Sequence, residues 1–452
     1  MHFEIETLSL LPEALNALEE GFAWLPKADT SVPEKERMQE VMQQVARRLR
    51  DNYPYFHPLY AGQMLKPPHA IARTAYALAT WINPNNHALD GGRASSAMEK
   101  EAVAELAAMF GWQTHLGHLT SGGTMANLEA LWVAGQLNPS KKIVASADAH
   151  YTHRRISAVL NLPFADVPCD SFGRLDTQAL AALLAAGDVG CVVATMGTTG
   201  TGAVDPLPEI LRLRDRYKFR LHVDAAYGGY FTLATNLSPE TRTACDQIGL
   251  ADSIVIDPHK HGLQPYGCGC VLFRDPNVGV LYKHESPYTY FTSSELHLGE
   301  ISLECSRPGA AAVALWATQR LLPLVRGGEF AAGLEACREA AVRMAERLMA
   351  DSRWFVPFAP ELDIVVWAPR AGSVREVSDL SQRIFHAAAT RGLHLALIRL
   401  PARYFPSLAD RSSVPQENVL CLRSVLMKPE HREWVERILE VLDGAWREAS
   451  AT

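Results

Sequence analysis

The spacing of apolar positions changes character along the chain. Up to about residue 55 it is helical and polar, and VPEKERMQEVMQQVARRLRD predicts an amphipathic helix. YPYFHPLYAGQMLKPPH, rich in Pro and aromatic residues, reads as an ordered loop. Ser96-Ala97-Met98-Glu99 has capping-box spacing and predicts a helix through AVAELAAMF that stops at Gly111. Beyond it, the β-branched apolar runs KKIVASA, GCVVATM, RLHVD and DSIVID are interleaved with the helical stretches TMANLEALWVAG and TQALAALLAAG. That alternation predicts a mostly parallel sheet covered on both faces. GCGCVLFRD adds a strand and PGAAAVALWATQRLL a long apolar helix.

Near Arg326-Gly327-Gly328 the texture changes. A long helix (FAAGLEACREAAVRMAERLMA) is followed by the short strands ELDIVVWAP, LHLALIRL and NVLCLRSVL with helices between them. The expected organisation is an N-terminal helical segment (1–55), a large domain (56–325) and a small C-terminal α/β domain (326–452). The fold class is α/β.

Composition narrows the function. A chain of 452 residues, 48% hydrophobic and 21% charged, can bury a large core. A net charge of -7 and the absence of long Lys/Arg runs give no support for a nucleic-acid partner. The start, MHFEIETLSLLPEAL, lacks the basic and apolar regions of a secretory signal, and no apolar run would span a bilayer. The eight cysteines are scattered, with only Cys268 and Cys270 close together. This is neither a zinc spacing nor a disulfide framework, and it fits reduced thiols in a cytoplasmic enzyme.

In an open parallel sheet, ligands bind beyond the carboxyl ends of the strands. There the sequence places Asp148-Ala149-His150, the run Gly197-Thr198-Thr199-Gly200-Thr201-Gly202, Asp224-Ala225-Ala226, and Asp257 with His259 and Lys260. Thr120-Ser121-Gly122-Gly123-Thr124 directly precedes a helix. Singly, each has an ordinary reading: an N-cap, a loop histidine, a buried acid, a turn, a charged strand end. Together they supply what pyridoxal phosphate needs: an amine to form a Schiff base, an acid for the ring nitrogen, and small residues at a helix N-terminus for the phosphate.

HVDAAYGG and DSIVIDPHK, with TSGGTMAN, ADAHYTHRR and ATMGTTGTGAVDPL in matching order, resemble the group II pyridoxal-phosphate-dependent amino-acid decarboxylases. The likeness is clear over roughly residues 115 to 320. It is closest to the tyrosine/aspartate decarboxylase type and, through CSRPGAAAVALWA, to the sphingosine-phosphate lyase type. It implies fold type I, the aspartate-aminotransferase-like fold, and decarboxylation of an L-amino acid to an amine. Lys260 would be the Schiff-base lysine, Asp224 the partner of the ring nitrogen, and Ala226 and His150 the residues on the two ring faces. Gly122, Gly123, Thr124 and His259 would hold the phosphate, with Asp257 and Thr199 near the cofactor. Ser306 would reach the phosphate from a partner subunit, so a homodimer is implied. Tyr288, preferred over Tyr290 from its Pro-Tyr context, would protonate Cα, and Arg423 would bind the substrate carboxylate.

Several stretches depart from the common family pattern. His261 follows the lysine where family members often have an aromatic residue, and the loop YKHESPYTYFTSSELHLGE is rich in His, Tyr and Glu. These differences make His261 a candidate substrate contact and leave the amino acid undetermined. Three rivals remain: another outcome on the same cofactor (carbon–carbon lyase, aldehyde synthase or aminotransferase), an inactive binding relative, and a metalloprotein using His115-x-x-His118 and His150-x-x-His153. The last lacks the HExxH pattern, and no metal is expected.

Overall fold

A computed structural model describes residues 3–26, 34–283, 296–406 and 418–451. Seven short strands build the larger sheet: β1 (Leu116–Thr120), β2 (Lys142–Ser146), β3 (Phe164–Val167), β4 (Val189–Thr195), β5 (Arg220–Asp224), β6 (Ser253–Ile256) and β7 (Gly269–Phe273). Their order is β1-β7-β6-β5-β4-β2-β3, with β7 antiparallel to both neighbours and all other pairs parallel. β4 and β6 are buried at every position, as strands covered on both faces should be. The register sets Thr195 opposite Asp224 and Asp224 opposite Val255, so the chemistry at the ends of β4, β5 and β6 falls on one edge.

The second sheet is antiparallel, ordered β10-β11-β9-β8, from β8 (Trp354–Phe355), β9 (Ile364–Pro369), β10 (Ala396–Pro401) and β11 (Asn418–Val425). Helices Glu329–Met349, Val374–Thr390 and His431–Ser450 accompany it.

Three local expectations change. β1 and β3 are strands that the sequence patterns did not single out; β1 gains its place by pairing with β7. The helix expected to open at Ser96 begins at Leu89 and runs to Met109, with a break at Gly92 (φ −167°, ψ 59°). Glu99 does not act as a capping acid. Its carboxylate accepts from Asn86 Nδ2 (2.6 Å), Leu119 N (3.0 Å) and Arg307 Nη1 (2.7 Å), pinning the helix to β1 and to the segment after residue 300. A buried acid with three donors is worth more there than as a local cap.

The N-terminal helices Leu10–Glu20 and Lys35–Leu49 bury no side chain, and Leu10, Met38, Val41, Met42 and Val45 are exposed. Among the described residues, no helix is long and apolar enough to cross a membrane.

Candidate active site

At the carboxyl edge of the parallel strands lies a cavity of about 340 Å³. Its wall brings together Gly122, Gly123, Thr124, His150, Thr199, Asp224, Ala226, Asp257, His259 and Lys260 from stretches far apart in sequence. A larger cavity of about 520 Å³ lies elsewhere, between Phe3, Phe56, Lys66, Leu334 and Lys428. Volume does not decide between them; the strand-end residues converge on the first.

The helix Gly123–Leu137 starts at the cavity wall, so its first amides and the positive end of its dipole are available to an anion. Gly122 holds φ +155°, and a Cβ on it would lie 3.3 Å from His259 Cε1. A Cβ on Gly123 would come within 2.5 Å of Asp257 Oδ2. The paired glycines therefore let a helix N-terminus lie against an acid, which any side chain would prevent.

Lys260 follows β6 by four residues, and its Nζ is 3.0 Å from Asp257 Oδ2. Asp257 Oδ2 is 3.5 Å from His259 Nε2, and its Oδ1 has no hydrogen-bond partner among the described residues. His259 is anchored by its backbone N–H to the Cys268 carbonyl (3.1 Å), and its ring lies against Tyr266 with centroids 4.8 Å apart. Burial pushes the His259 imidazole below its ordinary value, only partly offset by Asp257. His150 is likewise lowered by burial, with Asp224 opposing; its Nδ1 accepts from Thr152 N at 3.3 Å.

Asp224 ends β5, and its side chain is nearly buried. Oδ1 accepts from the Ala226 backbone N–H (3.1 Å), and Oδ2 lies 2.9 Å from His153 Nε2. Burial by itself opposes ionisation. The hydrogen bond with His153, together with Lys260, outweighs it and holds the carboxyl below the usual carboxylate range. An ionised acid on the floor, an amine beside it and a glycine-lined helix N-terminus fit pyridoxal phosphate. The partnerless Asp257 Oδ1, His259 Nδ1 and Thr195 Oγ1 leave polar capacity for a bound group.

Other expected residues lie elsewhere. Ser306 is exposed, its Oγ accepting from Asn85 Nδ2 at 3.1 Å, and it does not line the cavity. Tyr288 and Tyr290 lie outside the described residues. Arg423 is buried on β11, and its guanidinium donates to the carbonyls of Thr199 (2.6 Å), Gly200 (2.9 Å) and Gly62 (3.2 Å). It sits behind the Thr199 turn rather than on the cavity wall.

His261, expected as a substrate contact, does not line this cavity. His261 is 1% exposed, packed edge-on against Tyr227 and Phe231, with Nε2 3.1 Å from Asp363 Oδ2. The chain turns after Lys260, so consecutive side chains serve opposite sides of the segment.

The sequence offered His153 only as part of a metal pattern that was set aside, and it did not single out Tyr227 or Thr195. Tyr227 and Thr195 line the cavity, while His153 supports Asp224 from beneath. The His150-x-x-His153 spacing was a signal: the chain turns there, and the His153 backbone N–H donates to the His150 carbonyl at 3.1 Å.

The sequence and the fold are similar to those of known proteins. Residues 125–369 match the family model "Pyridoxal-dependent decarboxylase conserved domain". A probable L-tyrosine/L-aspartate decarboxylase of Methanospirillum hungatei is 30% identical over 302 residues, covering 66% of this chain and 77% of that protein. An L-tyrosine decarboxylase of Enterococcus faecium is 28% identical over 439 residues (75% and 71%). An L-2,4-diaminobutyrate decarboxylase of Acinetobacter baumannii is 28% identical over 404 residues (80% and 78%). Among solved structures, Oryza sativa TDC with PLP and tryptamine aligns with a TM-score of 0.77 at 18% identity, over 94% of this chain and 90% of that one. Mouse CSAD in apo form aligns with a TM-score of 0.76 at 21% identity (95% and 92%). These structures share the fold. The chain belongs to the pyridoxal-dependent decarboxylase family and is a pyridoxal-phosphate-dependent amino-acid decarboxylase of fold type I.

Proposed function

We propose that this enzyme releases carbon dioxide from an L-amino acid to leave the corresponding amine, with Lys260 as the residue that carries the cofactor. The observation that carries this reading is the convergence of Lys260, Asp224 and the Gly122–Gly123 helix N-terminus on one cavity. Pyridoxal phosphate, bound there, supplies an aldehyde that condenses with amines and a ring that accepts the electron pair left at Cα.

The chain's residues have separable roles. Gly122, Gly123, Thr124 and His259 hold the phosphate, while Ala226 and His150 bracket the ring. Asp224 keeps the ring nitrogen protonated, which requires a carboxylate in a buried place. Asp257, 3.0 Å from Lys260 Nζ, orients the amine and balances its charge. Arg423 holds the Thr199–Gly200 turn, and its role at the substrate carboxylate requires it to exchange those carbonyls for the substrate. Tyr288 returns the proton to Cα. Exclusion of water from the cavity strengthens each of these electrostatic contacts.

A homodimer is part of this reading. Ser306 is exposed and does not line its own subunit's cavity, and the N-terminal helices leave apolar side chains uncovered. A cytoplasmic location fits eight free cysteines, seven of them buried.

The test is spectroscopic and chemical. Wild-type protein incubated with pyridoxal phosphate is expected to gain a visible absorption band that Lys260→Ala lacks. Tyrosine, aspartate and 2,4-diaminobutyrate, the amino acids in the relatives' names, head the panel for carbon dioxide and amine release. A wild-type protein that cannot be loaded with the cofactor would overturn the proposal. Amine formation unchanged in Tyr288→Phe would remove that residue's role, and a shift from amine to aldehyde would support it.

A further inference from the structure

His153 lies one helical turn beyond His150, in the helix Thr152–Val159, and does not line the cavity that His150 lines. It is fully buried. Nε2 faces Asp224 Oδ2 at 2.9 Å, and Nδ1 has no hydrogen-bond partner among the described residues. Nε2 is therefore the ring nitrogen that serves Asp224, and its N–H donates to Oδ2.

The two Asp224 oxygens are thus divided between protein donors, Oδ1 to Ala226 N and Oδ2 to His153. Beneath them, His222 is fixed at both nitrogens, Nε2 to Asn127 Oδ1 (2.8 Å) and Nδ1 to Ser253 Oγ (2.9 Å). Its ring centroid is 6.5 Å from that of His153. A rigid imidazole layer therefore backs the carboxylate, and the cavity lies on its other side.

We propose that His153 is a positioning residue: its Nε2–H holds Asp224 as an aimed carboxylate for the protonated ring nitrogen of the cofactor. This rests on the reading of Asp224 as the ring-nitrogen partner. The charged and titratable groups that face Asp224 are His153 and His222 from the protein side, and Lys260 and His150 from the cavity side.

The experiment compares two substitutions in the full-length, cofactor-loaded enzyme. His153→Phe keeps the ring shape and removes the donor; His153→Gln keeps a donor and loses the ring. Readouts are the dissociation constant for pyridoxal phosphate, the pH midpoint of its visible band, and kcat and KM. His153→Phe is expected to weaken cofactor binding about 10-fold, as for loss of a hydrogen bond to a charged group. It is also expected to move the band's pH midpoint and lower kcat about 10-fold, with KM within about 2-fold of wild type. His153→Gln should restore most of each value.

Wild-type affinity and pH midpoint in His153→Phe would overturn the inference. If His153→Phe does not fold, His153→Gln decides alone: near-wild-type affinity and midpoint support the donor role, and clear loss of both overturns it. Asp224→Asn separates the two readings. If it binds the cofactor with an unaltered band, the assignment of Asp224 falls. If it is severely impaired while His153→Phe is silent, only the role of His153 falls.

Discussion

His259 and His261 flank Lys260 and belong to two different regions. On one side, His259, Lys260, Asp257 and Asp224 surround an open cavity at the end of the parallel strands. On the other, His261 meets Asp363, whose Oδ1 accepts a 2.5 Å hydrogen bond from the Tyr227 hydroxyl. Asp363 immediately precedes β9, so this second cluster is a seam joining the larger sheet to the smaller one.

Both regions bury an aspartate beside an imidazole, Asp224 with His153 and Asp363 with His261. In both, burial opposes the negative charge and the neighbouring histidine helps to overcome it; Tyr227 and Lys66 assist at Asp363. A buried acid–imidazole pair therefore does not by itself identify a catalytic site. The distinction lies in where the carboxylate points. Asp363 is closed between Tyr227 and His261, whereas Asp224 lies on a cavity wall.

This contrast breaks most sharply under single substitutions. Lys260→Ala should lower activity by on the order of 10⁴-fold or more, while thermal unfolding of the cofactor-free protein stays close to wild type. A large loss of apo stability would show that the cavity side also holds the fold together. Asp363→Ala should do the reverse: about 3–5 kcal/mol of stability lost in denaturant titration, because its partners are left buried and unpaired. Cofactor affinity of the folded fraction should stay within about 2-fold of wild type, and collapse of that affinity would merge the two regions into one functional unit.

Acid should act beneath the cavity and also at the C-terminal helix. Burial pushes His222, below Asp224, and His431, at the start of the C-terminal helix, each down to about 3. Folding keeps them neutral, so the unfolded chain binds more protons between the ordinary histidine value and about 3. Their stabilisation is complete above that window and declines as pH falls through it, by up to about 1.4 kcal/mol per pH unit for each group. Unfolding free energies that stay level from pH 6 to 4 would contradict this. The smallest effect belongs to Tyr227→Phe, which removes one donor to Asp363 at an expected loss of about 1–3 kcal/mol. Because Tyr227 also lines the cavity, its kcat and KM report whether the seam reaches the chemistry.

Much of the cavity wall was legible because it comes from strand ends. RLHVD, DSIVID and GCVVATM are short and β-branched, and their polar residues begin where the apolar runs stop. The TSGGT turn was legible for a similar reason, since small residues before a helix have a specific use. Less legible were β1 and β3: β1, LGHLT, carries a buried histidine that weakens the strand pattern and is offset by Glu129, 2.9 Å from His118 Nε2. Glu99 misled in the opposite direction. Its spacing from Ser96 suits a cap, while the tertiary fold spends it on Arg307 and β1.

By itself the sequence determined the element types, the mostly parallel larger sheet and the residues placed at its carboxyl edge. These follow from local periodicity and from residue chemistry at strand ends. Only the tertiary structure decided which of the two histidines flanking Lys260 faces the cavity, that His153 backs Asp224, and that Arg423 straps the Thr199 turn from a different sheet. Those outcomes depend on side-chain direction and on contacts between residues more than 70 positions apart, as His153 to Asp224 and Arg423 to Thr199 are. Periodicity along the chain carries no information about either.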